Sequence, residues 1–185
     1  MQTIGVVIPV PEPWGAQLQG FREGIGDPMA DLIPPHITLL PPVGIDTQLI
    51  SGVVDHLSAA AGMLAPFEIA LRGTDSFRPT SPVVFVALAE GAEDCATLEG
   101  LVRSGPLGID SPWPYHPHVT VAHELPDAVL DDACERLADF AADFGVDEFT
   151  LYILDPDGRW HPTHTFPLGS DDTAPLGSEF EEDER

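Results

Sequence analysis

A mixed fold of strands and helices, a single domain in two similar halves, is what this sequence predicts, and three observations predict it. Strand-like and helix-like apolar spacings alternate from Ile4 to Leu168. A pentad, Pro-His-apolar-Thr-apolar, occurs twice, as Pro35-His36-Ile37-Thr38-Leu39 and as Pro117-His118-Val119-Thr120-Val121. The length, 185 residues with 43% hydrophobic content, suffices for one substantial core or two small lobes sharing a cleft, and is too short for two independent enzyme domains.

Ile4 to Val10 reads as a buried strand, and Trp14, Leu18, Phe21 and Ile25 after Pro13 have helical spacing. His36 to Leu40 reads as a short strand bracketed by Pro34-Pro35 and Pro41-Pro42. Asp46 to Gly62 carries apolar residues three to four apart, a helix with Asp46 as its cap. Phe67 to Thr74 alternates and Val83 to Leu88 is continuously apolar, giving two strands, and Cys95 to Val102 is a further helix. After a turn-rich stretch, His118 to Val121 is a strand. Leu130 to Phe144, ended by Gly145, reads as the clearest helix of the chain. Phe149 to Leu154 and Trp160 to Leu168 form a hairpin about Asp155-Pro156-Asp157-Gly158. The domain is expected over residues 1–169. Residues 170–185, with seven acids and no apolar period, are expected to be a disordered tail.

Charge narrows the function classes. There are 31 acidic residues against 7 basic ones, all Arg, for a net charge of -24. Such a surface repels a polyphosphate chain, so an extended nucleic-acid partner is disfavoured while a small phosphate ester held by local donors is not. Cys95 and Cys134 read as free thiols of a reducing compartment. No apolar run reaches membrane-span length, and the first ten residues lack the basic start of a secretory signal. A monomer in the cytoplasm is expected.

In a strand, residues two apart share a face, so His36 and Thr38 point one way, as do His118 and Thr120. Each half thus offers one imidazole and one hydroxyl. Two imidazoles on opposite sides of one phosphorus suit phosphodiester chemistry: a neutral one takes a proton from the attacking oxygen and a protonated one gives a proton to the leaving oxygen. The threonine hydroxyls can hold the non-bridging oxygens without a cation. No cofactor or metal is required. Which imidazole plays which part is not decided by these residues.

With these motifs the chain resembles the two-histidine (2H) phosphoesterase superfamily, whose members include bacterial 2′–5′ RNA ligase-like proteins and cyclic phosphodiesterases. Phe77-Arg78, Tyr115 and the final Trp160 to Leu168 strand extend the resemblance. It implies a bilobal α+β fold with pseudo-twofold symmetry and a central cleft, and hydrolysis of a nucleoside or oligonucleotide 2′,3′-cyclic phosphate. It further implies His36 as proton donor to the leaving oxygen, His118 as the acceptor that activates water, and Thr38 and Thr120 as phosphate ligands. The scarcity of basic residues sets tRNA ligation apart from this expectation.

Further candidates on the phosphate are Tyr115, His116, Arg78 and Arg159, although His116 reads equally as an exposed strand-end residue and the two arginines as surface salt bridges; Trp160 and Tyr115 could stack on a base or pack in the core. His123, on the opposite parity from His118, reads as structural. Two competing readings are a non-catalytic nucleotide- or protein-binding module on the same fold, and a metal cluster of His116, His118, His161 and His164.

Overall fold

Residues 1–109 and 112–169 are described by the computed structural model; the acidic tail lies outside them. The elements in chain order are β1 (Gln2–Pro9), α1 (Trp14–Gly24), β2 (His36–Ile45), α2 (Ile50–Gly62), β3 (Phe67–Ser76), β4 (Val83–Glu90), α3 (Ala92–Val102), β5 (His118–His123), α4 (Asp127–Arg136), β6 (Ala141–Val146), β7 (Glu148–Leu154) and β8 (Trp160–Pro167). Asp46 does cap, as expected: its side chain accepts from the Gln48 N–H and starts a 3-10 turn, Thr47–Leu49, that leads into α2.

Among the described residues the strands form one antiparallel sheet in the order β6-β3-β4-β5-β2-β1-β7-β8. The duplication expected from the pentads is visible in the chain order. β1-α1-β2-α2 and β4-α3-β5-α4 are two copies of one unit, each with a His-Thr strand third. The halves meet where β2 pairs with β5. Packing across the junction is reciprocal, for α1 of the first half lies against β5 and α3 of the second lies against β2. The core fills from the inward positions of these strands, including Ile4, Ile37, Leu39, Val84, Val86, Val119 and Val121. No helix is long and apolar enough to cross a membrane, among the described residues.

Three local expectations fail, each for a physical reason. The predicted helix Leu130 to Phe144 is a shorter helix, α4, a turn, and then the strand β6. Leu130, Ala133, Leu137, Phe140 and Phe144 fit a three-to-four spacing, but Phe140, Ala142, Phe144 and Val146 fit a spacing of two equally well. Pairing with β3 decides for the strand, which buries alternate residues. Gly145 is therefore inside a strand and terminates nothing. Second, β2 does not stop at Pro41-Pro42 but runs on to Ile45 against β1. The β1–β2 register shifts between Ile4 and Val6, so the prolines lie at an irregularity, where a missing N–H costs little. Third, a register shift between Val84 and Phe85 leaves Val121 as an extra residue in β5. Val121 and Ala122 are both buried, so His123 returns to the parity of His118 and is partly exposed.

Each of the six described arginines is already ion-paired to an acid, from the buried Arg22–Asp27 pair to the exposed Arg159–Asp157 pair. The remaining acids repel one another. Exposed pairs contribute only about 0–1 kcal/mol each, so salt removes more repulsion than attraction. The screening length falls from about 10 Å at 0.1 M salt to about 3 Å at 1 M. The melting temperature is therefore expected to climb steadily between these KCl concentrations, by about 2–4 °C for each kcal/mol of repulsion removed. A flat or falling calorimetric melting temperature would contradict this account of the surface.

Candidate active site

β2 and β5 pair at one position, Ile37 opposite Val119. Both are fully buried, and strand alternation leaves His36, Thr38, His118 and Thr120 on the other face, each partly exposed. In this antiparallel register His36 lies across from Thr120, and His118 across from Thr38. Each imidazole thus has the other motif's hydroxyl as its cross-strand neighbour. Neither threonine hydroxyl donates a hydrogen bond to the protein among the described residues, so both are available to a ligand.

The two imidazoles are held alike. His36 Nδ1 lies 2.8 Å from the Pro34 carbonyl oxygen, and His118 Nδ1 lies 2.7 Å from that of His116. A carbonyl can only accept, so Nδ1 carries the hydrogen and Nε2 is left to exchange a proton with a ligand. The intervening residue is proline both times, Pro35 and Pro117, which biases the residue before it toward extended backbone. This explains why the pentads begin with proline.

Burial lowers both imidazoles from their ordinary pKa, because it penalises the charged form. His36 is pushed down to about 4: burial is the main cause, Arg22 and His118 add repulsion, and the bond to Pro34 opposes them. His118 is lowered by burial first, with repulsion from His116 added and the bond to the His116 carbonyl opposing. Phe77 supplies much of the apolar surrounding of His118, its ring centroid 4.9 Å away and nearly perpendicular, and Phe85, packed against Phe77, lies 5.2 Å away.

A cavity of about 520 Å³ opens beside this face. Thr38, His118 and His116 are part of its wall, whereas His36 and Thr120 are not. The symmetry of the motifs is thus broken by what surrounds them: reciprocal packing brings Glu99 of α3 and Arg103 just past its end to the cavity, and the loop before β5 adds Trp113, Pro114 and Tyr115.

Tyr115 sits in the wall, but its hydroxyl donates to the Thr38 carbonyl at 2.9 Å, so it positions the motif strand and is not offered to a phosphate. Burial pushes this phenol upward, keeping it a donor. His116 is exposed at the cavity, its ring against Phe77 and Phe85. Arg78 is held by Asp131 at 2.8 Å and Asp127 at 3.6 Å, on α4, and does not line the cavity. Arg159 bonds the Asp31 carbonyl. Trp160 packs beside Gly5 and lies outside the cavity. The four histidines of the metal reading are dispersed, since His161 and His164 are on β8, at the far edge of the sheet from β5. His161 instead joins Asp155 and Asp157 in an exposed group. Cys95 and Cys134 are free thiols, Cys95 buried and pushed up to about 12 by desolvation.

Sequence reasoning missed Arg22, which is 3% exposed. It donates to Asp27 at 2.9 Å and to the Ile33 carbonyl at 2.7 Å, and so ties α1 to the loop that carries Pro34. A signal existed: Arg22 follows Leu18 by four residues on the apolar stripe of α1, and Asp27 comes just past the helix end.

The 2'-5' RNA ligase superfamily model matches residues 9–158. A Bacillus licheniformis protein named "Putative phosphoesterase" is 35% identical over 147 residues, 78% of this chain and 86% of that protein. A Bacillus cereus protein of the same description is 29% identical over 168 residues, 90% of this chain and 96% of its own length. Among solved structures, Escherichia coli LigT complexed with 3'-AMP superposes with a TM-score of 0.64 at 23% identity, covering 91% of this chain and 99% of LigT. The protein TT0787 of Thermus thermophilus gives 0.66 at 24% identity, covering 92% and 100%. Likeness at these identities shows the fold.

Proposed function

The chain belongs to the 2'-5' RNA ligase superfamily, a group of LigT-like phosphoesterases, and from that premise we propose that it hydrolyses a small or cyclic phosphodiester, with His36 and His118 as its acid–base pair and no metal. The supporting observation is the matched pair of imidazoles, each with Nδ1 tied to a backbone carbonyl and a free threonine hydroxyl across the ladder. LigT has been crystallised with 3'-AMP, ATP and NADP+, which makes nucleotides the first substrates to try, and nucleoside 2′,3′-cyclic phosphates foremost among them. Two free cysteines accord with a reducing, cytoplasmic setting.

As water adds to phosphorus, one Nε2 takes its proton while the other gives a proton to the leaving oxygen, and the P–O bond breaks. Thr38 and Thr120 hydroxyls hold the non-bridging oxygens. A base must start neutral, and His36 is the imidazole pushed furthest from protonation, with the buried Arg22 cation contributing to that. We therefore assign His36 as the base toward water and His118 as the acid, the reverse of the order that the family resemblance implies.

Activity then requires His36 neutral, which is met as pH rises past about 4. It also requires His118 protonated, which is lost as pH rises through a value lowered from the ordinary 6.5. The kcat/KM profile on 2′,3′-cyclic nucleotides in EDTA is expected to be a bell with its maximum on the acid side of neutrality. Loss of turnover in EDTA would sink the metal-free mechanism. An optimum above pH 8 would sink the assignment to two depressed histidines.

A further inference from the structure

We infer that the cavity beside His118 takes an uncharged, apolar substituent, and that the preferred ligand is a phosphodiester whose only negative charge lies on the phosphorus being attacked. The inference rests on the phosphodiester reading and adds the chemistry of the group attached to it.

Leu39, Pro41, Phe77, Trp113, Pro114 and Tyr115 give the cavity mostly apolar walls, and about 520 Å³ lies within the range, roughly 300–1,000 Å³, in which small-molecule groups are enclosed. The charges in the wall are closed on themselves. Glu99 and Arg103 pair at 2.5 Å, and the other guanidinium nitrogen of Arg103 donates to the Ile109 carbonyl. The Tyr115 hydroxyl is engaged by Thr38. There is no lysine in the sequence, and every described arginine has an acidic partner.

A second phosphate or carboxylate on the ligand would therefore enter a protein of net charge -24 and lie near Glu99 with no unpaired arginine among the described residues, leaving only the His116 imidazole and the Thr80 and Ser81 hydroxyls to meet it. Enclosing such a charge without a permanent cation is costly. An apolar ring gains instead, by leaving water for the faces of Trp113 and Phe77. Because His36 and Thr120 are outside the cavity, the substituent belongs on the phosphate oxygen nearest His118, the imidazole assigned as acid.

Affinities of three diesters, measured calorimetrically in 1 M KCl to screen the distant charges, test this independently of turnover. The three are dimethyl phosphate, methyl phenyl phosphate and methyl 4-carboxyphenyl phosphate. The phenyl ester is expected to bind roughly tenfold or more tightly than the dimethyl ester, and the carboxyphenyl ester at least as much more weakly than the phenyl ester. Trp113→Ala should shrink the phenyl-to-methyl ratio. Glu99→Gln, which frees Arg103, should recover binding of the carboxyphenyl ester. Equal affinity for the phenyl and dimethyl esters, or a carboxyphenyl ester that binds the wild type best, overturns the inference even if phosphodiesters are hydrolysed. Correct selectivity with no turnover of any diester overturns the proposed function and leaves the cavity assignment standing.

Discussion

Replacing His118 with alanine is expected to lower kcat/KM by roughly 10²–10⁴-fold, and His36→Ala by a similar factor, the scale for losing a general acid or base. The expectation follows from geometry. Each imidazole is fixed through Nδ1 to a carbonyl two residues earlier, so Nε2 is aimed by the backbone. His116, 6.1 Å from His118 between ring centroids, has no comparable backbone clamp among the described residues and stands exposed. Since the pair acts as a unit, the double variant should lose far less than the product of the single losses. Thr38→Ala and Thr120→Ala should each cost about tenfold, one hydrogen bond to a charged oxygen, with proton transfer retained. Steady-state kinetics on 2′,3′-cyclic nucleotides decides the matter. Near-normal turnover in either histidine variant, with abolition in His116→Ala, would remove the two-motif mechanism.

The second large effect is expected away from the chemistry. Arg22→Met should destabilise the protein by about 3–5 kcal/mol, the usual cost of breaking a buried ion pair from one side. The Arg22 side chain is 4% exposed and that of Asp27 is fully buried. Without the guanidinium, the Asp27 carboxylate keeps only the Met29 N–H at 2.9 Å, and the Ile33 carbonyl loses its donor. At about 2–4 °C per kcal/mol, the melting temperature should drop on the order of 10 °C. Arg22→Met combined with Asp27→Leu should recover part of the loss, because the stranded charge is gone. The same substitution removes a repulsive neighbour of His36, so the His36 pKa, followed by NMR, should move up toward its ordinary value. A loss below about 1 kcal/mol in urea denaturation would contradict the pair's structural role.

Much of the site was legible because it is local. A His-x-Thr strand places both polar groups on one face by the two-residue period alone, and a preceding proline biases the backbone whose carbonyl clamps Nδ1. The repeat of that pentad correctly pointed to two copies of one unit, now seen as β1-α1-β2-α2 and β4-α3-β5-α4. Legibility failed where two periods coincided, as from Leu137 to Val146, and where one extra residue changed the parity, as at Val121. Arg78 read either as a phosphate contact or as a surface salt bridge, and α4 holds it in the second way, with Asp127 and Asp131.

By itself the sequence determined a mixed helix-and-strand fold, the two motif strands with their inward and outward faces, and a strongly acidic composition, because these follow from short-range periodicity and from residue counts. Tertiary structure alone decided that His36 faces Thr120 and His118 faces Thr38, that the cavity of about 520 Å³ has His118 and Thr38 but not His36 and Thr120 in its wall, and that Arg22 is buried. Those facts depend on strand order and on helices crossing between the halves, contacts between residues far apart in the chain whose energies no local pattern records.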